Sequence, residues 1–291
     1  ETTASDAKSA TKKARRTGKF NKNAAGAVAA EHAYVTVGTQ DHGPATGTQA
    51  SKAKQVRYIS TGLKEQSTKQ IKALRALGIV PTTSVEKCTH LVAKNIARTE
   101  KFLVALAQGK TIVHEDWFQA CIDANAILDE SEYRIHDTEN EERFGMDLYK
   151  SLDRARERPV FKDCVFYISP STVPKLATLK TLTEAGGGKA TALLQTGLGF
   201  LKEKIEKKMK SSQDMDLDHG DVSGADGSSS SGDEGGHREK KDETIAVVSC
   251  EEDRDMWQPI LATGAKVYSH ELIITGILTQ TLDLSNTHAL K

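Results

Sequence analysis

Apolar residues fall in short runs separated by polar stretches, and the runs have two periods. Val56-Arg57-Tyr58-Ile59-Ser60 is β-branched and aromatic, the composition of a strand. From Gln70 to Leu77 the spacing is helical, with Ile71, Leu74 and Leu77 on one face and Gly78 closing the element. A short strand near Val80, a strand at His90–Ala93, a helix at Glu100–Ala107, a strand at Thr111–His114 and a helix at Asp116–Ala124 follow. Strands alternating with helices predict an α/β fold whose parallel sheet is covered on both faces.

The series then repeats. Val165-Phe166-Tyr167-Ile168-Ser169 aligns with Val56–Ser60 at an offset of 109, and Gly186 with Gly78 at 108. Between them lies a helical stretch, Leu176 to Ala185, with Leu179 and Leu182 on one face. Further on, His270-Glu271 aligns with His114-Glu115 at 156, so the second copy holds 48 extra residues. They correspond to Gln195–Asp242, between a strand at Ala190–Leu194 and another at Thr244–Ser249, where a loop extends at small entropic cost. Residues 55–138 and 161–291 therefore read as two copies of one four-stranded unit, with a linker over 139–160. Arg154–Lys162 joins the copies, and Asp147–Arg156 is a linker helix.

Composition changes this picture at two places. The formal net charge is zero, from 40 Lys+Arg and 40 Asp+Glu, but nine cations and four anions fall in Glu1–Lys54, and five cations and ten anions in Lys208–Glu243. Residues 1–54, rich in Ala, Thr, Gly and Lys, read as a disordered basic arm. Residues at about 195–243, with the run Ser228–Ser231, read as a disordered acidic insertion. No apolar run reaches the roughly 18 residues that span a bilayer, so no membrane partner is expected. The chain opens on Glu1 without a charged-then-apolar leader and is expected to be a piece of a longer protein.

Candidate chemistry is sparse. Cys88, Cys121, Cys164 and Cys250 form no C-x-x-C pair and read as reduced thiols, so neither a structural zinc nor another metal is expected. A nucleotide-binding enzyme would use Gly186-Gly187-Gly188 or Gly197-Leu198-Gly199, but Lys202 stands where a dinucleotide fingerprint needs its third glycine. There is no Walker lysine motif, carboxylate pair or Cys–His constellation, so no catalytic residue and no cofactor are assigned. His114 and His270 read as capping or packing residues. Lys12-Lys13-Ala14-Arg15-Arg16 suits a nuclear localisation signal or a weak DNA contact through residues 1–54. Thr39-Gln40, Thr48-Gln49 and Ser212-Gln213 suit a damage kinase, and Ser228–Ser231 beside Asp233-Glu234 an acid-directed one.

Certain segments carry a resemblance. They are Ser60-Thr61-Gly62, Cys88-Thr89-His90-Leu91-Val92, Arg98-Thr99-Glu100-Lys101-Phe102-Leu103, and Trp117 in His114-Glu115-Asp116-Trp117-Phe118. In the second copy Ile273 takes the tryptophan position. Over about Gln55–Leu290, the insertion excepted, the chain resembles a tandem pair of BRCT domains. Ser269–Leu278 is most similar to the pairs of DNA-damage mediator and fungal multi-BRCT scaffolds that read phosphorylated histone H2-A tails.

The resemblance implies two flanked four-stranded parallel sheets and a phosphopeptide-binding, non-enzymatic scaffold of the DNA damage response in the nucleus, on chromatin. Thr61, Gly62 and Lys101 match the family's phosphate pocket, while Pro170 replaces Thr61 in the second copy, so only the first is expected to bind phosphate. Arg98 and Thr275 match positions that hold the free carboxylate ending a phospho-Ser-Gln-x-x tail. Pro174 and Thr178 match the pocket for the residue three places after the phosphoserine. The implied partners are the phosphorylated H2-A tail and other phosphoproteins of DNA repair. Without the resemblance, Thr61-Gly62 is a turn and Lys101 a solvated lysine. Arg98 is equally an inter-repeat salt bridge, and Thr275 a helix residue bonding its own backbone.

Overall fold

The computed structural model describes residues 55–215 and 243–291. The expected basic arm, the acidic core of the insertion, and the pairs at Thr39 and Thr48 lie outside the described residues.

The first copy runs β1 (Val56–Thr61), α1 (Thr68–Ala76), β2 (Ile79–Pro81), β3 (His90–Ala93), α2 (Glu100–Ala107), β4 (Thr111–His114) and α3 (Asp116–Ala124). All its strand pairs are parallel, in the order β2-β1-β3-β4. Helix α1 begins at a reciprocal cap, in which Ser67 accepts from the Gln70 amide and the Gln70 side chain accepts from the Ser67 amide. Trp117 is fully buried, donates to the Leu128 carbonyl at 3.1 Å and stacks on His90 at 5.4 Å. His90 Nε2 lies 2.9 Å from the Glu130 carboxylate, so both ends of that indole and imidazole pair are satisfied.

Two helices, α4 (Thr138–Phe144) and α5 (Leu148–Glu157), connect the copies. Asp137 caps α4 and also accepts from the Ile96 amide at 2.8 Å, tying the connection to the first copy. The second copy runs β5 (Cys164–Ile168), α6 (Leu176–Ala185), β6 (Lys189–Ala192), α7 (Leu198–Met215), β7 (Thr244–Val248), α8 (Arg254–Leu261), β8 (Val267–Tyr268) and α9 (Glu271–Thr279). Its sheet has the same topology, β6-β5-β7-β8, all parallel.

Helix α2 shows why the copies form one body. Every residue from Phe102 to Ala107 is buried, since one face lies on the first sheet and the rest against α5, α6 and α9. A helix apolar all round must be covered all round. One apolar core accordingly runs from Leu91 and Leu106 through Leu152 to Leu179, Leu272 and Ile277.

Helix α7 corrects the expectation of disorder over residues 195–215. Leu201 and Ile205, one helical turn apart, are buried against Trp257, Ile260 and Val267. The lysine-rich composition hides this narrow apolar stripe, which is enough to dock the helix. Ser212-Gln213 therefore belongs to a helix, not to an irregular segment.

The glycine loop that suited a nucleotide has a packing role. Gly186 to Gly188 joins the end of α6 to the start of β6, the opposite edge of the sheet from a strand-to-helix phosphate loop. A Cβ on Gly186 would lie 2.5 Å from the Phe161 ring, and one on Gly188 2.8 Å from the Phe161 Cβ. These glycines make room for a fully buried phenylalanine.

Candidate functional site

In both sheets the first crossover leads outward one way and the second the other, so the order reverses between β1 and β3, and between β5 and β7. The carboxyl ends of strands at such a reversal leave a crevice, the usual ligand position in open parallel sheets. In the first copy Thr61 ends β1 there, Gly62 follows, and the N-terminus of α2 faces them.

Thr61 is buried, and its Oγ1 lies 3.0 Å from Oγ1 of Thr99. Thr99 is the N-cap of α2, its hydroxyl accepting from the Phe102 amide at 3.4 Å. Gly62 has φ +69°, a left-handed conformation that penalises a side chain. A Cβ there would meet nothing within 4 Å, so backbone shape and not crowding requires the glycine. Lys101, in the first turn of α2, reaches back to the Ser60 carbonyl at 3.4 Å. Its ammonium and the positive helix end therefore act in the same place. Ser60, Thr61, Gly62, Thr82, Thr99 and Lys101 share the lining of one open cleft. The three residues assigned to the phosphate thus meet, and Thr99 joins them as the cap that orients the helix.

The other assigned residues lie along the seam between the copies. Arg98 Nη2 donates to Glu271 Oε1 at 2.5 Å, and the guanidinium also lies 5.9 Å from the Phe144 ring centre. The inter-repeat ion pair is therefore present, and among the described residues only one edge of the fork is engaged. Glu271 opens α9 and Thr275 follows it by one turn, which places both on one helix face. Thr275 is half-buried, and its carbonyl accepts from the Thr279 hydroxyl at 2.9 Å. Thr178, on α6, donates to Glu100 Oε2 at 3.1 Å, a second polar link across the seam. Pro174 lies in the loop before α6 after a cis peptide bond, beside the exposed Val173.

Glu100 and Glu271 were not legible as site residues. They are acids at helix starts, where the macrodipole favours them anyway, and their partners are 78 and 173 residues away. His114 and His270 each lie beside an acid at their helix starts, Asp116 at 3.1 Å and Glu271 at 3.3 Å, and neither helix start carries a side-chain cap hydrogen bond. Cys88, Cys121 and Cys164 are buried and burial raises their thiol pKa values, so they are poor nucleophiles.

Comparison with known proteins places this geometry. The BRCT profile of regulator of Ty1 transposition protein 107 matches residues 40–135, and a general BRCT profile matches residues 229–288. The chain is 34% identical over 226 residues to PAX-interacting protein 1 of Mus musculus, covering 77% of this chain and 18% of that protein. It therefore spans about a fifth of that relative's length. Among solved structures, the BRCT5-BRCT6 domains of S. pombe Brc1 superpose with a TM-score of 0.57 at 23% identity, covering 79% of this chain and 95% of that one. The complex of Rtt107p with phosphorylated histone H2-A gives 0.51 at 13% identity, covering 82% and 93%. Two profile matches that together exceed half the chain, on two sheets of one topology, show that the chain belongs to the BRCT family and carries two of its domains in tandem.

Proposed function

We propose that this tandem pair is a phosphopeptide reader of the DNA damage response, and that its ligand is a chain-terminal phospho-Ser-Gln-x-x tail such as that of histone H2-A. The meeting of Thr61, Gly62 and Lys101 at the strand-order reversal carries the reading. A phosphoserine brings nearly two negative charges and three acceptor oxygens, and the cleft offers a hydroxyl, a backbone N–H and an ammonium at a helix start. Rtt107p, of the same fold, has been solved with phosphorylated histone H2-A, which supports the choice of tail.

The seam supplies the second half of the selectivity. Glu271 holds the Arg98 guanidinium by one edge, leaving donors for a carboxylate in fork geometry. Thr275 adds a hydroxyl from the same helix face, and Pro174 with Thr178 lines the path of the residue that ends the tail. Two separated anions on one short peptide then set its direction and its length. Through this contact the parent protein is recruited to damaged chromatin in the nucleus; the module binds its ligand without transforming it.

Fluorescence anisotropy with three tail peptides tests the reading: phosphorylated with a free carboxyl end, unphosphorylated, and phosphorylated with an amidated end. The first binds with roughly micromolar affinity, about −8 kcal/mol, and the other two at least tenfold more weakly. Equal binding of all three refutes the proposal. Arg98→Ala is expected to bind the free-carboxyl and amidated tails alike, losing about 1.5–3 kcal/mol toward the former only. Retained preference for the free end in that variant would remove Arg98 from the site.

A further inference from the structure

The second copy has its own strand-order reversal, between β5 and β7, and something already sits there. Ser171, in the loop after β5, donates its backbone N–H to Asp253 Oδ2 at 2.8 Å and its hydroxyl to Asp253 Oδ1 at 2.7 Å. The aligned position in the first copy is Gly62, offset by 109, which lines the cleft beside Thr61 and Lys101. Asp253 precedes α8 as Thr99 precedes α2. In each copy, therefore, the residue before the second helix meets the chain leaving the first strand. In the first copy the meeting is between two neutral hydroxyls, Thr61 and Thr99; in the second it is a carboxylate gripped by a donor pair.

An ordinary helix cap does not account for Asp253. Its carboxylate makes no hydrogen bond to the amides of its own helix, whereas Thr99, Asp137 and Asp147 each do so in theirs. It is turned away from α8 onto Ser171, and the residue is only 8% exposed. The Cys250 thiol closes the other side, 3.7 Å from Oδ2, and Ser169 and Ser249 pair their hydroxyls at 2.7 Å at the strand ends beneath. Burial alone would raise the pKa of this carboxyl group, but the hydrogen bonds from the serines and the thiol outweigh it and hold the group below its usual range. The local charge is also inverted: two residues after Thr99 stands Lys101, and two after Asp253 stands Asp255.

We propose that the second copy retains an oxyanion cradle, built on Ser171, and that Asp253 is its permanent internal ligand. Pro170 removes one donor from the position of Thr61, and Asp253 fills the space that remains. The consequence is a reader with one open anion site, so that a tail with a single phosphate has only one register. Emptying the cradle should open it to a small oxyanion.

The test needs no peptide, and each anion response is read as the excess over wild type, which cancels any anion bound at the first copy. Thermal unfolding of the whole chain is followed for wild type, Asp253→Ala and Asp253→Ser in chloride, and again with sodium acetate or inorganic phosphate at matched ionic strength. Leu179→Ala, a buried core variant outside the Ser171–Asp253 contact, controls for general salt effects. Asp253→Ala is expected to melt several degrees lower in chloride and to recover at least half of that loss in tens of millimolar acetate or phosphate. Wild type and Leu179→Ala should shift by the same amount as each other, and by less than Asp253→Ala. If Asp253→Ala is unfolded at every condition, Asp253→Ser, which removes the carboxylate yet keeps a hydroxyl able to cap α8, should show the excess stabilisation. Anion responses in both variants no larger than the control's would make Asp253 a plain structural acid and overturn the proposal.

Discussion

Replacing Lys101 with Met is expected to lower affinity for the phosphorylated tail by tenfold to a hundredfold and to erase the distinction between phosphorylated and unphosphorylated peptides. The substitution keeps the unbranched stem and removes only the ammonium. Each charge-assisted contact to phosphate is worth about 1.5–3 kcal/mol, which is that range of affinity. Because Lys101 is exposed and its protein contact is a long 3.4 Å bond to the Ser60 carbonyl, folding should hardly change. A melting curve superimposable on wild type, together with the lost phosphate preference in anisotropy, is the expected pair of results. A variant that still prefers the phosphorylated peptide would mean that the phosphate does not bind at α2. The response to salt is a useful companion: the wild-type affinity should fall as salt rises, and the Met variant's should fall less.

Phe161→Ala is expected to cost about 3–5 kcal/mol of stability. Its ring is fully buried, packs edge-on against Phe166 at 5.0 Å, and would lie 2.5 Å from a Cβ on Gly186 and 3.0 Å from one on Gly276. It thus joins the end of the linker, the turn after α6 and the middle of α9 at one point. Three elements cannot all move inward to fill the space, so most of a phenyl-sized cavity should persist. For a folded body of this size the melting temperature should drop by on the order of 10 °C. Denaturant unfolding that shows less than about 1 kcal/mol of loss would mean the seam collapses around the gap. Peptide binding should weaken as well, since α9 carries Glu271 and Thr275, and that loss should be recovered at lower temperature.

Much of the architecture was legible because periodicity reports burial directly. Leu74, Leu179 and Leu182 fall on predicted helix faces and are buried in the structure. The repeat itself located the insertion, since the offset between copies changes only if residues are added. Helix α7 was missed for the complementary reason: its packing rests on buried Leu201 and Ile205 with half-buried Leu198 beside them, and so narrow a stripe is lost among five lysines between Lys202 and Lys210. Helix α4 was missed because none of its residues is fully buried; half-buried Phe144 touches the core, and the Asp137 cap with its bond to Ile96 fixes the start. Neither signal appears in a hydrophobic pattern.

Local chemistry is written in neighbouring residues and so can be read from the chain. The turn at Gly62, the cap at Thr99, the lysine one position into α2 and the proline that breaks the pattern at Pro170 all follow from adjacent side chains and backbone preferences. The sequence by itself therefore determined two α/β copies and where the second is interrupted, and its resemblance to the BRCT family pointed to the first copy for the proposed phosphate site. Only the tertiary structure decided that Arg98 is held by Glu271, that Thr178 answers Glu100, and that Asp253 fills the second copy's crevice. Each of these joins groups 78 to 173 residues apart. The physical reason is that an ion pair or hydrogen bond leaves no periodic trace. Acids at helix starts look alike until the packing of α2 against α6 and α9 settles which donor each of them meets.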